Sequence, residues 1–167
     1  MDSTLIARAT ERMIEYLNGD VRDVNHFIKV HAFAALIGNL EGLDERTLIA
    51  LELAAIVHDI ACPLCRLKYG SADGKLQERE GPRLARELLG GLDVDGAIIE
   101  RVCDMVGRHH TYTDVDGIDL RILLEADFLV NAHECSASRE AIVNMLENVF
   151  ETDAGRKLLR GMYLQGE

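Results

Sequence analysis

Four ionisable residues stand out for the company they keep. On a helical period, His26 shares a face with Val30, Phe33 and Ile37, and His58 with Leu51 and Ala55. His109 shares one with Val102 and Val106, and Asp127 one with Leu120, Leu123, Leu124 and Val130. Each of these faces is apolar and reads as core. A buried charge without a partner costs several kcal/mol, so Asp127 among leucines needs a cation or strong donors. Taken singly, each residue reads as a hydrogen-bonded core histidine or a salt-bridged aspartate. Taken together, they have one economical solution: the helices bring their polar groups to a common point. Imidazole nitrogen and carboxylate oxygen around one point make a divalent-metal site. Asp59 follows His58 directly. Adjacent helical residues point about 100° apart, so both reach one ion only where the helix ends. The Ala61-Cys62-Pro63 stretch suits such an ending.

The elements that must position these residues read as helical almost throughout. Two-residue alternation is nearly absent, whereas the i, i+3, i+4, i+7 pattern recurs. The pattern predicts helices over about Thr4–Leu17, Asp23–Leu40 with Asp23 as N-cap, and from an Asp44 cap to His58-Asp59. Residues Ile60 to Lys75, with Pro63, Gly70 and Gly74, predict one long connection, and such connections are usually functional. A short helical piece precedes Gly81, and Pro82 suits the first turn of a helix ending at Gly90-Gly91. Val94–His109 and Leu120–His133 follow as helices, separated by a polar loop from Thr111 to Gly117. Two more fill Ser138–Leu164. The expected architecture is all-α: one compact helical bundle over 1–167, with a motif-bearing core at about 23–133 and covering helices at about 136–164.

The chain has 167 residues, 18 Lys and Arg against 29 Asp and Glu, and a net charge of -11. That length encloses a real core, and 48% hydrophobic residues exclude disorder. The acidic balance disfavours a long nucleic-acid partner. The N-terminus shows no leader pattern, and no stretch nears the roughly 18 uncharged residues of a membrane span, so the expectation is a cytoplasmic protein with no membrane partner. Cys62, Cys65, Cys103 and Cys135 are too few and scattered for a disulfide framework.

The arrangement His26-x-x-Lys29-Val30, then Ala54-Ala55-Ile56-Val57-His58-Asp59-Ile60, then His109, then Glu125-Ala126-Asp127 resembles the HD-domain metal-dependent phosphohydrolase superfamily. His58 follows His26 by 32 residues, and Asp127 follows Asp59 by 68. The resemblance implies that His26, His58, Asp59 and Asp127 bind the metal, and that Lys29 holds a position often basic in the family. His109 matches a place that helps hold a second ion in two-metal members, and His110 beside it is a further candidate ligand or outer-shell group. The intervening histidine of those members is missing here, because Ile60 to Val106 contains none; its place falls at Gln77 or Glu78. That departure implies one ion rather than two. Glu78 could replace the imidazole as an oxygen ligand.

The implied chemistry is hydrolysis of a small phosphate ester, a nucleotide in the first instance, by a metal-activated water. Asp59 would orient that water, and His110 or Glu78 would protonate the leaving oxygen. N/O ligation suits Mn²⁺, Fe²⁺, Co²⁺, Ni²⁺, Zn²⁺ or Mg²⁺ without choosing among them. Between Arg66 and Arg83 five basic residues face three acidic ones, a local +2. Lys68 and Lys75 are the candidates there for phosphate contact, and Tyr112 could stack on a base at the mouth of the site. Cys62-Pro63-Leu64-Cys65 lacks a second C-x-x-C and reads as two ordinary thiols. Two other functions stay open: an HD-fold metal or nucleotide sensor without turnover, and a redox or zinc regulator built on Cys62 and Cys65. Oligomeric state is not legible.

Overall fold

Nine helices and no strand make up the described residues, 3–165, of this computed structural model. They are α1 (Ser3–Leu17), α2 (Val21–Leu40), α3 (Glu45–Val57), α4 (Cys62–Tyr69), α5 (Gly74–Leu89), α6 (Gly96–Val106), α7 (Ile118–Glu134), α8 (Arg139–Asn148) and α9 (Asp153–Tyr163). The all-α expectation stands. The outermost residues of the expected 1–167 unit, 1–2 and 166–167, lie outside the described residues, as does the start of the N-terminal stretch read for a leader.

α3 is the centre. Every side chain from Ala50 to His58 is buried, and a helix apolar on all sides belongs inside a fold. α2 lies along it and contributes Val30, Ala34 and Ile37; α7 contributes Leu120, Leu123, Leu124 and Ala126; α6 contributes Val102, Met105 and Val106. Close approach needs small residues at two places. A Cβ on Gly38 would stand 2.8 Å from a Leu48 methyl, and one on Gly81 2.6 Å from Val106 Cγ1. The exception within α3 is Glu52, whose buried carboxylate meets His31 Nε2 at 2.9 Å.

The stretch Glu45–Tyr69 is, by length and composition, apolar enough to cross a membrane, which corrects the expectation that no segment comes near. Within the fold 78% of its apolar window is buried against the other helices.

Several boundaries differ from expectation. The long connection after Asp59 is mostly α4: Pro63 sits in its first turn, where a missing N–H costs nothing, and Gly70 ends it in the left-handed conformation. Both residues mark helix ends rather than a loop. α5 runs straight through Pro82, so the two expected pieces around Gly81 are one helix. Asp20, not Asp23, caps α2 by accepting from the Asp23 N–H at 3.1 Å. Asp23 turns inward instead and holds the Arg66 guanidinium at 2.7 and 3.1 Å. α6 starts at Gly96, after an Asp95 cap, and stops at Val106, so His109 lies in the following turn. Asp44 caps α3 as expected.

The C-terminal pair is tied to the core by a buried charge. Glu125 of α7 is fully buried and accepts from the backbone N–H groups of Glu151 and Thr152 at 2.7 and 3.0 Å, and from the Thr152 hydroxyl. Its carboxylate closes the start of α9, where unpaired amides favour negative charge. Gly155 is required there, since a Cβ would fall on that carboxylate.

Candidate metal centre

The second turn of α2, the end of α3 with the turn after it, and the middle of α7 converge on one point. His26 comes from the second turn of α2, and Asp127 from the middle of α7. His58 caps the C-terminus of α3 with helical backbone angles. Asp59 starts the turn to α4, closed by the Ile60 N–H on the Val57 carbonyl (3.1 Å) and the Cys62 N–H on the Asp59 carbonyl (2.8 Å). The helix ends there, so consecutive His58 and Asp59 both face the cluster.

Four donor atoms define it. His26 Nε2 and His58 Nε2 are 3.2 Å apart. Asp127 Oδ1 lies 3.3 Å from the first and 3.5 Å from the second. Asp59 Oδ2 lies 3.7 and 3.8 Å from them. Ligands bonded at about 2.1 Å in a tetrahedral shell stand about 3.4 Å apart. The two nitrogens, and each carboxylate oxygen relative to both of them, therefore have the spacing of a coordination shell.

The ring protons point away from it. His58 Nδ1 donates to the Ala55 carbonyl at 2.9 Å, and His26 Nδ1 to Glu134 Oε2 at 2.9 Å. A carbonyl only accepts, so the His58 proton on that side is fixed. Both Nε2 lone pairs are thereby turned onto each other, an arrangement that needs a cation between them or a proton on one. Outer partners of this kind set tautomer and ring orientation in metal sites. Asn131 donates to Asp127 Oδ1 at 2.8 Å and fixes the carboxylate.

The electrostatics agree. Burial disfavours charge on His26, but Asp127, Asp59 and Glu134 outweigh it and raise its pKa from 6.5 to about 9. Burial also acts against the two carboxylates. Asp59 is nevertheless held well below the usual range by His58, His109 and His110, and Asp127 likewise by hydrogen bonds with His26 and His58.

A second group adjoins the first through Asp59. His109 Nδ1 donates to the Val106 carbonyl at 2.8 Å, and His109 Nε2 meets Asp59 Oδ1 at 2.9 Å. His110 Nε2 is buried 3.7 Å from the same oxygen, too far for a hydrogen bond, and has no partner. Burial would lower the His110 pKa; the Asp59 charge outweighs it and raises it. Asp59, His109 and His110 thus form a second set of donors, with their atoms within 4.8 Å of one another, as do those of His26, His58 and Asp59.

Glu78 holds this turn in place. Its Oε1 accepts from the His110 N–H at 3.1 Å and the Thr111 hydroxyl at 2.7 Å, and Oε2 pairs with Lys75 at 2.8 Å. Burial pushes the Glu78 pKa up, but Lys75, Thr111 and the His110 amide outweigh it and hold it low. Gly74 makes room for the ring: a Cβ there would stand 2.7 Å from His110 Cγ. Gln77, the other position matching the missing histidine, is buried; it accepts from the Cys62 thiol at 3.0 Å and donates to the Ala72 carbonyl at 2.8 Å.

The basic residues singled out from the sequence all have carboxylate partners. Lys29 pairs with Glu134, Lys68 with Glu80 at 3.3 Å, and Lys75 with Glu78. The local +2 of the Arg66–Arg83 segment is likewise spent: Arg66 pairs with Asp23, Arg79 with Glu80 and Arg83 with Glu87. Tyr112 is half-exposed, and burial, with the Asp127 charge added, raises its hydroxyl pKa; it does not line the cleft at His26 and Asp59. Cys62 and Cys65 are free and buried, burial pushes both thiols up, and neither joins a donor group.

Sequence reading missed Glu134 and Asn131. They stand seven and four residues after Asp127, so they share its face of α7. That period was the available signal. The carbonyls of Ala55 and Val106 had no signal in residue type.

A cleft of about 100 Å³ opens onto His26 and Asp59; Arg22, Asp23, Arg66, Asn131 and Glu134 also line it.

A crystal structure of a predicted HD superfamily hydrolase from an uncultured Thermotogales bacterium shares this fold. Its TM-score is 0.70 over 95% of this chain and 84% of that one, at 22% sequence identity. No curated protein matches the chain. Residues 23–132 match the family model of the HD domain. That span contains every converging donor from His26 to Asp127, and the chain belongs to the HD-domain family.

Proposed function

We propose that the protein is a metal-dependent phosphohydrolase acting on a small phosphate ester, with nucleotides as the first class to test. The observation that carries the reading is the His26 Nε2–His58 Nε2 pair at 3.2 Å, with Asp127 Oδ1 and Asp59 Oδ2 each 3.3 to 3.8 Å from both nitrogens and the imidazole protons turned outward. His26, His58, Asp59 and Asp127 would hold one divalent ion, drawn from Mn²⁺, Fe²⁺, Co²⁺, Ni²⁺, Zn²⁺ or Mg²⁺. Such an ion lowers the pKa of a bound water to about 7 in favourable cases and neutralises charge on a phosphoryl group.

The remaining roles belong to the chain's own groups. Glu134 and the Ala55 carbonyl hold the rings of His26 and His58 in register. Asp59 spans the two donor groups: Oδ2 faces His26 and His58, and Oδ1 faces His109 and His110. It is the carboxylate placed to orient an attacking water. His110 has a raised affinity for a proton and an unpartnered Nε2, which suits a donor to the leaving oxygen. Glu78 is held as a carboxylate by Lys75 and Thr111, so we assign it to fixing the His109–Thr111 turn rather than to proton donation. Lys29 is assigned to Glu134, and through it to His26. One ion, not two, is in keeping with Gln77 and Glu78 being engaged elsewhere. Four free thiols suit a reducing, cytoplasmic setting.

The test is metal analysis followed by hydrolysis assays. The purified chain is loaded with Mn²⁺, Co²⁺, Zn²⁺ or Mg²⁺ and given p-nitrophenyl phosphate, bis(p-nitrophenyl) phosphate and a nucleotide panel. The reading requires turnover that Asp127→Ala abolishes. Metal held through His58 with no turnover on any substrate would favour the sensor. No bound metal under any condition would end the reading.

A further inference from the structure

Every cation that the sequence offered for phosphate contact is held by a carboxylate, which raises the question of what would hold a phosphate. The cleft beside the cluster answers it. Among its walls, Asp23 is taken by Arg66 at 2.7 and 3.1 Å, and Glu134 by Lys29 and His26. Arg22 is exposed, lines the same cleft and, among the described residues, has no carboxylate partner. It precedes His26 by four residues on α2, so both occupy one face about 6 Å apart along the helix axis. With a divalent ion balancing Asp59 and Asp127, Arg22 is the uncompensated charge at the opening.

We propose that Arg22 anchors the phosphoryl group of the substrate, and that the cleft selects terminal phosphate monoesters. This rests on the phosphohydrolase reading. A guanidinium presents parallel N–H donors that match two phosphate oxygens and cannot be deprotonated. The cleft of about 100 Å³ is walled by charged and polar side chains, with Phe27 the one apolar residue lining it, and so suits a phosphoryl group better than a nucleoside. A monoester inserts its phosphate and keeps its organic part outside. A diester would have to bring a second substituent into the cleft.

The experiment uses the full chain loaded with Mn²⁺, and compares wild type, Arg22→Ala, Arg22→Lys and Arg8→Ala. Arg8 is an exposed arginine of α1 that does not line the cleft. Calorimetry measures inorganic phosphate and, separately, Mn²⁺ affinity of the metal-free chain; kinetics use p-nitrophenyl phosphate and its bis ester. A hydrogen bond to a charged group predicts that Arg22→Ala weakens phosphate binding roughly 10- to 100-fold and raises KM for the monoester to match. Mn²⁺ affinity should be unchanged, Arg22→Lys intermediate and Arg8→Ala like wild type, with the monoester preferred. Phosphate affinity within twofold of wild type in Arg22→Ala, while wild type binds and turns over, would overturn the Arg22 assignment and leave the hydrolase reading standing. So would loss of Mn²⁺ binding in that variant, since Arg22 would then act through the cluster. Equal turnover of the bis ester would overturn the monoester selection. Wild type that neither binds phosphate nor hydrolyses either ester would overturn both readings together.

Discussion

The proton that His26 holds in the metal-free chain should set the pH dependence of metal binding. Its pKa is raised from 6.5 to about 9, chiefly by Asp127 and Asp59 working against burial. A raised folded-state value stabilises the metal-free fold fully below pH 6.5, and that contribution fades as pH rises through 9. An ion must displace the same proton from Nε2, so apparent affinity grows tenfold per pH unit until about pH 9. Asp59 and Asp127 are held low enough to stay ionised throughout that range and add nothing to the slope. Between pH 7 and pH 8.5 the expected gain is about 25-fold. Calorimetry with Zn²⁺ in two buffers of different ionisation enthalpy reads both quantities. Close to one proton should leave His26 per ion bound at pH 7, and markedly fewer at pH 9. A flat affinity with no proton release at pH 7 would refute the facing-lone-pair argument.

Other expectations follow from particular contacts. Asp127→Ala should abolish metal retention on a desalting column, read by elemental analysis. Glu134→Gln removes the charged acceptor of the His26 ring and should lower metal affinity roughly 10- to 100-fold with little change in melting temperature. Gly155→Ala forces a methyl onto the Glu125 carboxylate and should destabilise the fold by about 3 kcal/mol in urea titration. Lys75→Ala should leave KM for p-nitrophenyl phosphate within about threefold, because Lys75 is exposed and bound to Glu78 and Thr111.

The helices and the convergence of His26, His58, Asp59 and Asp127 were legible because apolar periodicity reports burial, and a buried charge must share its surroundings. His109 was placed on a helix that stops at Val106, yet it still reaches the cluster, since a turn continues the direction of α6 for a few residues. The first misreading was at α4: Pro63 and Gly70 have opposite meanings inside a loop and at helix ends, and residue type alone does not separate them. The second was the basic segment. A sum over residues 66–83 counts charge along the chain, whereas Asp23 and Glu87, outside that window, neutralise Arg66 and Arg83. Arg22 went unnoticed for the converse reason, since what sets it apart is a carboxylate partner that it lacks among the described residues.

The Glu125 contact has a consequence for the birth of the chain. Synthesis delivers α7 before the amides of Glu151 and Thr152 that satisfy its inward carboxylate. Until those residues leave the ribosome, a charge on the same helix as Asp127 faces the core without donors. The donors that satisfy the carboxylate two residues before Asp127 therefore come with the start of α9 and not before.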